Sequence, residues 1–325
     1  MRAVVVKEFD RPEQFVIEEV APRPPGPGEV LVSVKACGIN FLDGLTVKGT
    51  YQVKPPLPFT PGVELAGVIS EQGAGVSGYP PGMRVMAVTG FGAWAEQAVV
   101  PVSRVFPLPQ EMDFATGAAF PIVYATSHHA LKDRARLVAG ETLLVLGAAG
   151  GVGLTAVELG KIMGARVIAC ASSEEKLALA RAYGADALIN YASGDWRERV
   201  RELTGNRGVD VVFDPVGGPY AEPAVRSLGF LGRYLVIGFA SGSIPAIPLN
   251  LTLLKVTSIV GVFWGAWATA RPQDSAQNME TLLRWYRAGR LRPHICATHP
   301  LERYREALDE VVSRRAKGKV VMVLE

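Results

Sequence analysis

The stretch Ala36-Cys37-Gly38-Ile39-Asn40-Phe41-Leu42-Asp43 places a thiol, an amide and a carboxylate within seven residues. By type alone these groups fit a metal site, a reactive-cysteine site or a polar arrangement of another kind. A second stretch with chemical content is Leu143-Leu144-Val145-Leu146-Gly147-Ala148-Ala149-Gly150-Gly151-Val152-Gly153, followed by LTAVELGKIMG. An apolar run, a glycine turn and a helical pattern, in that order, are the context a dinucleotide-binding loop requires. Gly150 lets backbone approach a pyrophosphate and Gly153 lets the helix pack closely on the strand. The N–H groups around Ala149, Gly150, Gly151 and Val152 open the helix toward an anion. The GxGxxG pattern has a glycine where this chain has Ala148, with Gly147 just before it. A glycine-rich turn that binds no nucleotide is the alternative, and five further strand-like runs in the expected rhythm favour the nucleotide.

Which nucleotide depends on the end of the second strand, where an NAD site carries an acid about 20 residues on for the ribose hydroxyls. The chain reads Arg166-Val167-Ile168-Ala169-Cys170-Ala171-Ser172-Ser173-Glu174-Glu175-Lys176, with no acid at the strand end. Ser172 and Ser173 offer hydroxyls and Lys176 a cation, so NADPH is expected over NADH. The same residues also read as a serine N-cap with two glutamates on the first helical turn, and the two readings are compatible.

The elements that must hold these groups fall into two blocks. The first hundred residues carry short runs (AVVV, EVLVSVKA, VELAGVIS, RVMAV, AEQAVV) between PRPPGPGE, KPPLPFTPG and GYPPG, a rhythm of short strands and turns. From about 125, LLVLGA, ARVIACA, DALINY, DVVFDPV, RYLVIGF and SIVGVF alternate mostly with helical patterns such as 153–163 and 174–183, as in a doubly wound parallel sheet. A helix over 273–288 follows, and the terminal GKVVMVLE is expected to return to the N-terminal β domain. The expected division is therefore 1–122 with 266–325, and 123–265.

With 325 residues, 49% of them hydrophobic, the chain has material for two cores. Its 34 basic and 31 acidic residues give a net charge of +3. The dense basic runs (133–136, 197–201 and 314–317) have acids nearby or read as solvated helix faces, so no nucleic-acid surface is expected. No stretch of about twenty apolar residues is uninterrupted, so no membrane span is expected. The start, MRAVVVKEFD, reads as neither a secretory signal nor a transit peptide. Three cysteines, at 37, 170 and 296, without CxxC spacing, point to a reducing cytoplasm. His128 and His129 are expected on a helix surface.

Taken together, ACGINFLD, KPPLPFTPGVELAG, LVLGAAGGVGLTAVELGK, SSEEKLALARAYGAD, GVDVVFDPVGG and GKVVMVLE resemble the medium-chain dehydrogenase/reductases, and within them the zinc-free quinone oxidoreductase branch. The resemblance runs along nearly the whole chain. It implies an α/β fold: a discontinuous GroES-like β-rich catalytic domain plus a Rossmann doubly wound parallel sheet, with the active site in the cleft between them. Zinc-dependent relatives bind catalytic zinc through a Cys in C-x-x-D, a His in G-H-E and a third ligand four residues before a Thr. At the matching positions stand Asn40 with Asp43, Val63 before Glu64, and Ile122 before Thr126. Valine and isoleucine cannot coordinate a metal, and the four closely spaced cysteines of the structural zinc lobe are missing from 89–96, so no metal is expected.

The resemblance further implies that Asn40, Asp43 and Thr126 lie near the nicotinamide, and Lys48, Tyr51 and Tyr124 near it or near the substrate. Asn40, Asp43, Tyr51 and Tyr124 are the candidate catalytic residues. Which of them, if any, is a general acid stays open; the tyrosines also read as aromatic packing and Asp43 as a helix-capping or turn carboxylate. Tyr191 would meet the adenosine phosphate end, Phe239, Phe263 and Trp264 the nicotinamide end, and Lys319 would approach from the C-terminal segment. The implied activity is NADPH-dependent, zinc-independent reduction of quinones or related α,β-unsaturated carbonyls by a homodimer joined near 258–262. The alternatives are an enoyl-thioester reductase and a structural or AU-rich-RNA-binding NADPH protein of the same family.

Overall fold

The structure is a computed structural model that describes residues 1–324; Glu325, the last residue of the predicted run GKVVMVLE, lies outside them. The N-terminal segment forms β1 (Arg2–Val6), β2 (Phe15–Glu19), β3 (Glu29–Ile39), α1 (Phe41–Val47), β4 (Glu64–Gln72), β5 (Arg84–Val88), β6 (Gln97–Pro101), β7 (Val105–Pro107) and α2 (Phe114–Ala118). Then come α3 (Pro121–His128), β8 (Thr142–Val145), α4 (Gly151–Ile162), β9 (Arg166–Ala171), α5 (Glu174–Ala182), β10 (Ala187–Asn190), α6 (Trp196–Leu203) and β11 (Val209–Asp214). The chain continues through α7 (Ala221–Arg226), β12 (Leu228–Val236), α8 (Asn250–Lys255), β13 (Ser258–Gly261), α9 (Trp264–Ala270) and α10 (Pro272–Arg287). It closes with β14 (Ile295–Pro300), α11 (Tyr304–Val312) and β15 (Lys319–Val323).

Two compact units result, one of Met1–Ile122 with Arg292–Glu325 and one of Val123–Leu291. In the first, a seven-stranded sheet runs in the order β14-β15-β3-β4-β5-β7, with β6 also paired to β3. The alternation of β3 drives Val30, Val32 and Val34 into a core shared with Leu65, Ile69, Trp94, Val100 and Met322. The last strand returns here: β15 lies antiparallel on β3, with Val320 opposite Ile39 and Met322 opposite Cys37.

The second unit is a six-stranded, wholly parallel sheet in the order β10-β9-β8-β11-β12-β13. Its central strands are unbroken apolar runs; Leu143, Leu144, Val145 and Leu146 are fully buried, as expected where helices cover both faces of a sheet. Strand order reverses at β8, which has β9 on one side and β11 on the other. A sheet of this kind binds ligands outside the carboxyl end of that strand.

The second boundary falls at Arg292, not after residue 265, because α9 and α10 are fastened to the segment after α3. His129 stacks on Trp267 (4.1 Å between centroids) and His128 meets the Trp285 ring edge-on (5.5 Å). Lys132 Nζ donates to Asn278 Oδ1 (2.6 Å), and Asn278 Nδ2 donates to Asp133 Oδ2 (2.8 Å). Both histidines are therefore buried, each 1% exposed, where a helix surface was expected. His128 is the last residue of α3, and His129 opens a short π-helix over His129–Arg134.

Gly153 is the tightest point of the glycine turn: a Cβ there would lie 2.1 Å from the carbonyl oxygen of Gly147 and 3.0 Å from Ala148 Cα. Gly147 itself holds φ +57, a left-handed conformation that favours glycine. Gly153→Ala must push α4 away from the turn, an overpacking cost of about 1–3 kcal/mol. Urea unfolding should show a lower midpoint at unchanged slope; an unshifted midpoint would mean that the close approach is not a constraint.

Candidate active site

β3 delivers the chain to Asn40, whose extended backbone starts α1. The carboxylate of Asp43 accepts the Asn40 backbone N–H (2.8 Å), so Asp43 is a helix-capping group. The Asn40 side chain serves another purpose. Its Nδ2 donates to Glu64 Oε1 (2.8 Å), and its Oδ1 accepts from Lys319 Nζ (2.8 Å). Lys319 Nζ also donates to Glu64 Oε1 (2.6 Å) and to the carbonyl oxygen of Ile39 (2.8 Å), while Glu64 Oε2 accepts the Ile122 N–H (3.0 Å).

Glu64 is fully buried and Lys319 only 5% exposed. Such a pair is tolerated only where its hydrogen-bonding capacity is met, because desolvating two charges is costly. All three ammonium protons of Lys319 have acceptors here, which leaves that side chain no donor for a cofactor. Gly38 makes the space: a Cβ on it would lie 2.4 Å from Glu64 Oε1. Glu64 is the residue the sequence reading passed over, although an acid opening the otherwise apolar run ELAGVI was its signal.

Two carboxylates and one ammonium share this buried volume, and Glu64 takes the ammonium. Asp43 is accordingly pushed up to about 7, first by burial and then by the Glu64 charge, against the pull of the Asn40 N–H and of Lys319. Half-buried Tyr51 follows α1; burial, and then the Asp43 charge, raise its phenol, which therefore keeps its proton and can donate. Burial also pushes the Cys37 thiol far above its ordinary range, so this cysteine is an apolar core residue and not a nucleophile. Among the described residues, no group of three or more His, Cys, Asp or Glu side chains is arranged to hold a metal ion. Where zinc ligands would stand are Asn40, apolar Val63, and Ile122, whose backbone N–H serves Glu64.

In the second unit the remaining candidates gather at the carboxyl edge of the parallel sheet. Gly150 caps α4, and little crowds its Cβ position, the nearest atom being Gly147 O at 3.4 Å. Ala149 is buried, whereas Gly150, Gly151 and Val152 are partly open. Beyond β9, Ser173 caps α5 by accepting the Lys176 N–H (3.3 Å), and Lys176 Nζ donates to Ser172 Oγ (3.5 Å). Tyr191, just past β10, is tied to the β9 end through its N–H to Ala171 O (3.1 Å), and its ring packs on Tyr220 (4.6 Å). The serine cap is therefore present, and Lys176 and Ser172 lie together beside it.

Thr126 is half-buried on α3, beside Ser127, whose hydroxyl donates to Val152 O (2.9 Å) and so joins α3 to the loop. Tyr124 is different: it is buried, and its phenol donates to buried Glu158 (2.7 Å), a contact that clamps α3 to α4. Phe239 follows β12 against the turn 214–217, where Asp214 accepts the N–H groups of Val216 (2.7 Å) and Gly217 (2.9 Å). After β13, Phe263 is exposed and Trp264 buried. Neither Glu158 nor Asp214 was singled out from the sequence, because each is defined by a partner on another element.

Two family models match the chain: "Alcohol dehydrogenase GroES-like domain" over residues 26–110 and "Zinc-binding dehydrogenase" over 151–284. Quinone oxidoreductase-like protein 2 of Rattus norvegicus is 41% identical over 325 residues, covering 100% of this chain and 92% of the relative. Human quinone oxidoreductase is 33% identical, covering 100% and 98%. The structure of Escherichia coli quinone oxidoreductase complexed with NADPH superposes with a TM-score of 0.92 at 27% identity, covering 99% and 100%.

The Asp43 shift has a direction that can be measured. An unfolded carboxyl titrates near 3.9, so between about 4 and 7 the folded chain keeps a proton that the unfolded chain has lost. The contribution of Asp43 to stability therefore falls as pH rises through that window, by up to about 3 kcal/mol. Asp43→Asn cannot ionise, so its stability relative to the parent should rise from pH 4 to pH 7 in chemical denaturation. Parallel pH profiles for the two proteins would show that Asp43 is already ionised at low pH.

Proposed function

The chain belongs to the quinone oxidoreductase branch of the medium-chain dehydrogenase/reductases, and on that premise we propose that it is a zinc-independent, NADPH-dependent reductase of quinones or related α,β-unsaturated carbonyls. The observation that carries the reading is the side-chain chemistry where zinc relatives hold their metal. Asn40 is bound by Glu64 and Lys319, and beside it stand Val63 and Ile122, which have no ligand atom. Oxidation of an alcohol would lack its Lewis acid, whereas an acceptor that is already electrophilic needs none.

When bound, NADPH supplies the hydride. The open N-terminus of α4 suits its pyrophosphate, and Ser172, Lys176 and Tyr191 suit a 2′-phosphate, which a strand-end carboxylate would repel. Tyr51, holding its proton, is a suitable donor to the oxygen that gains charge on reduction, and Asp43 stands near enough to act on it electrostatically. Tyr124 is withdrawn from this role by its bond to Glu158.

The proposal includes a homodimer joined through β13. That strand is the edge of its sheet, largely exposed, and near it in sequence Ile244, Leu249, Leu253, Leu254 and Val256 present apolar side chains to solvent. A cytoplasmic location is part of the same reading and rests on three free cysteines. No helix among the described residues is long and apolar enough to cross a membrane. Two arginines of α6 pair with neighbouring acids, Arg199 with Glu202 and Arg201 with Glu198, which speaks against a nucleic-acid surface.

Purified protein should oxidise NADPH in the presence of a small benzoquinone, faster than with a crotonyl thioester. Failure to bind NADPH, or to turn over any quinone or enone, would end the proposal. Lys176→Ala should lower the NADPH:NADH preference roughly tenfold or more, as loss of a charge-assisted hydrogen bond implies. An unchanged ratio would remove Lys176 from the phosphate site.

A further inference from the structure

We propose that Glu64 and Lys319 are positioning residues that act through Asn40, a role that rests on the reading of Asn40 as part of the reductase site. An asparagine amide rotates over a broad range at its last torsion and carries two N–H donors and one oxygen with two lone pairs. Here Glu64 takes one donor at 2.8 Å and Lys319 one lone pair at 2.8 Å. A flipped amide would set its NH2 against an ammonium and its oxygen against a carboxylate, both desolvated. The backbone N–H of the same residue is held by Asp43. Asn40 is thus fixed at three points, which sets the direction of its amide.

Glu64 and Lys319 are themselves held, because the Ile122 N–H donates to the second carboxylate oxygen and Ile39 O takes another ammonium proton. Stability alone does not call for such a pair, since well-packed apolar residues of similar volume commonly serve as well or better. Orientation of a polar group does call for it, because a site loses rate when a group is displaced by even about 1 Å.

The test is a double-mutant cycle on NADPH oxidation with benzoquinone and on NADPH affinity, using Glu64→Gln/Lys319→Met, Asn40→Ala and all three together. The paired variant removes both charges at similar volume and should keep a melting temperature close to the parent's. Its kcat should fall about tenfold with a smaller change in KM, Asn40→Ala should fall comparably, and the triple variant should lose little more. Multiplicative losses in the triple variant, a paired variant with parental kcat and affinity, or an Asn40→Ala variant unchanged in both would overturn the proposal. If the paired variant does not fold, Glu64→Asp, which retracts the carboxylate but keeps the charge, takes its place in the cycle with the same criteria. A parent that binds NADPH but reduces no acceptor would refute the proposed function. The affinity cycle would still decide the positioning role, so the two failures are told apart.

Discussion

The buried contact between Glu64 and Lys319 is the interaction around which the polar centre of the first unit is organised. It depends on the antiparallel pairing of β15 with β3, which brings Lys319 to both Asn40 and the carboxylate on β4. It requires glycine at position 38, where any side chain would enter the space of Glu64. Asp43 lies near the same pair, and burial lifts its carboxyl to about 7 against the pull of the Asn40 N–H and of Lys319. Hydrogen bonds to an ion pair organise these surroundings, and they are effective because the pair is buried.

The second unit obeys a more local logic. Its sheet is parallel and covered on both faces, so its strands are apolar and its polar side chains collect at the carboxyl edge. The close approach of Gly153 to Gly147 sets the helix start, the Ser173 cap sets the start of α5, and the hydroxyl of Ser172 with the ammonium of Lys176 follows from that cap. A binding function placed on such an edge does not compete with the core.

What could be read from the sequence divides along the same line. The glycine turn, the βα rhythm and the serine cap depend on neighbours a few residues apart, and the structure has each of them. The return of the last strand was legible from its apolar run alone. The ion pair was not, because Glu64 and Lys319 are brought together only by the sheet; Lys319 was expected to face the cofactor, and nothing near Glu64 in sequence names its partner. The same distance effect hid the phenol contact of Tyr124 with Glu158 and the burial of His128 and His129 against Trp285 and Trp267. Those tryptophan contacts also explain the misplaced boundary: the segment from 266 was assigned to the N-terminal β domain, but the partners of α9 and α10 lie beside α3.

The central claim is that hydride passes from NADPH to an electrophilic acceptor without a metal. It is tested most directly by single-turnover oxidation of NADPH carrying deuterium at the transferred position, with benzoquinone as acceptor, before and after exhaustive treatment with a chelator. The account predicts a normal primary isotope effect and the same rate in both samples. Loss of turnover on chelation that a divalent metal restores, or oxidation insensitive to the deuterium, would contradict it.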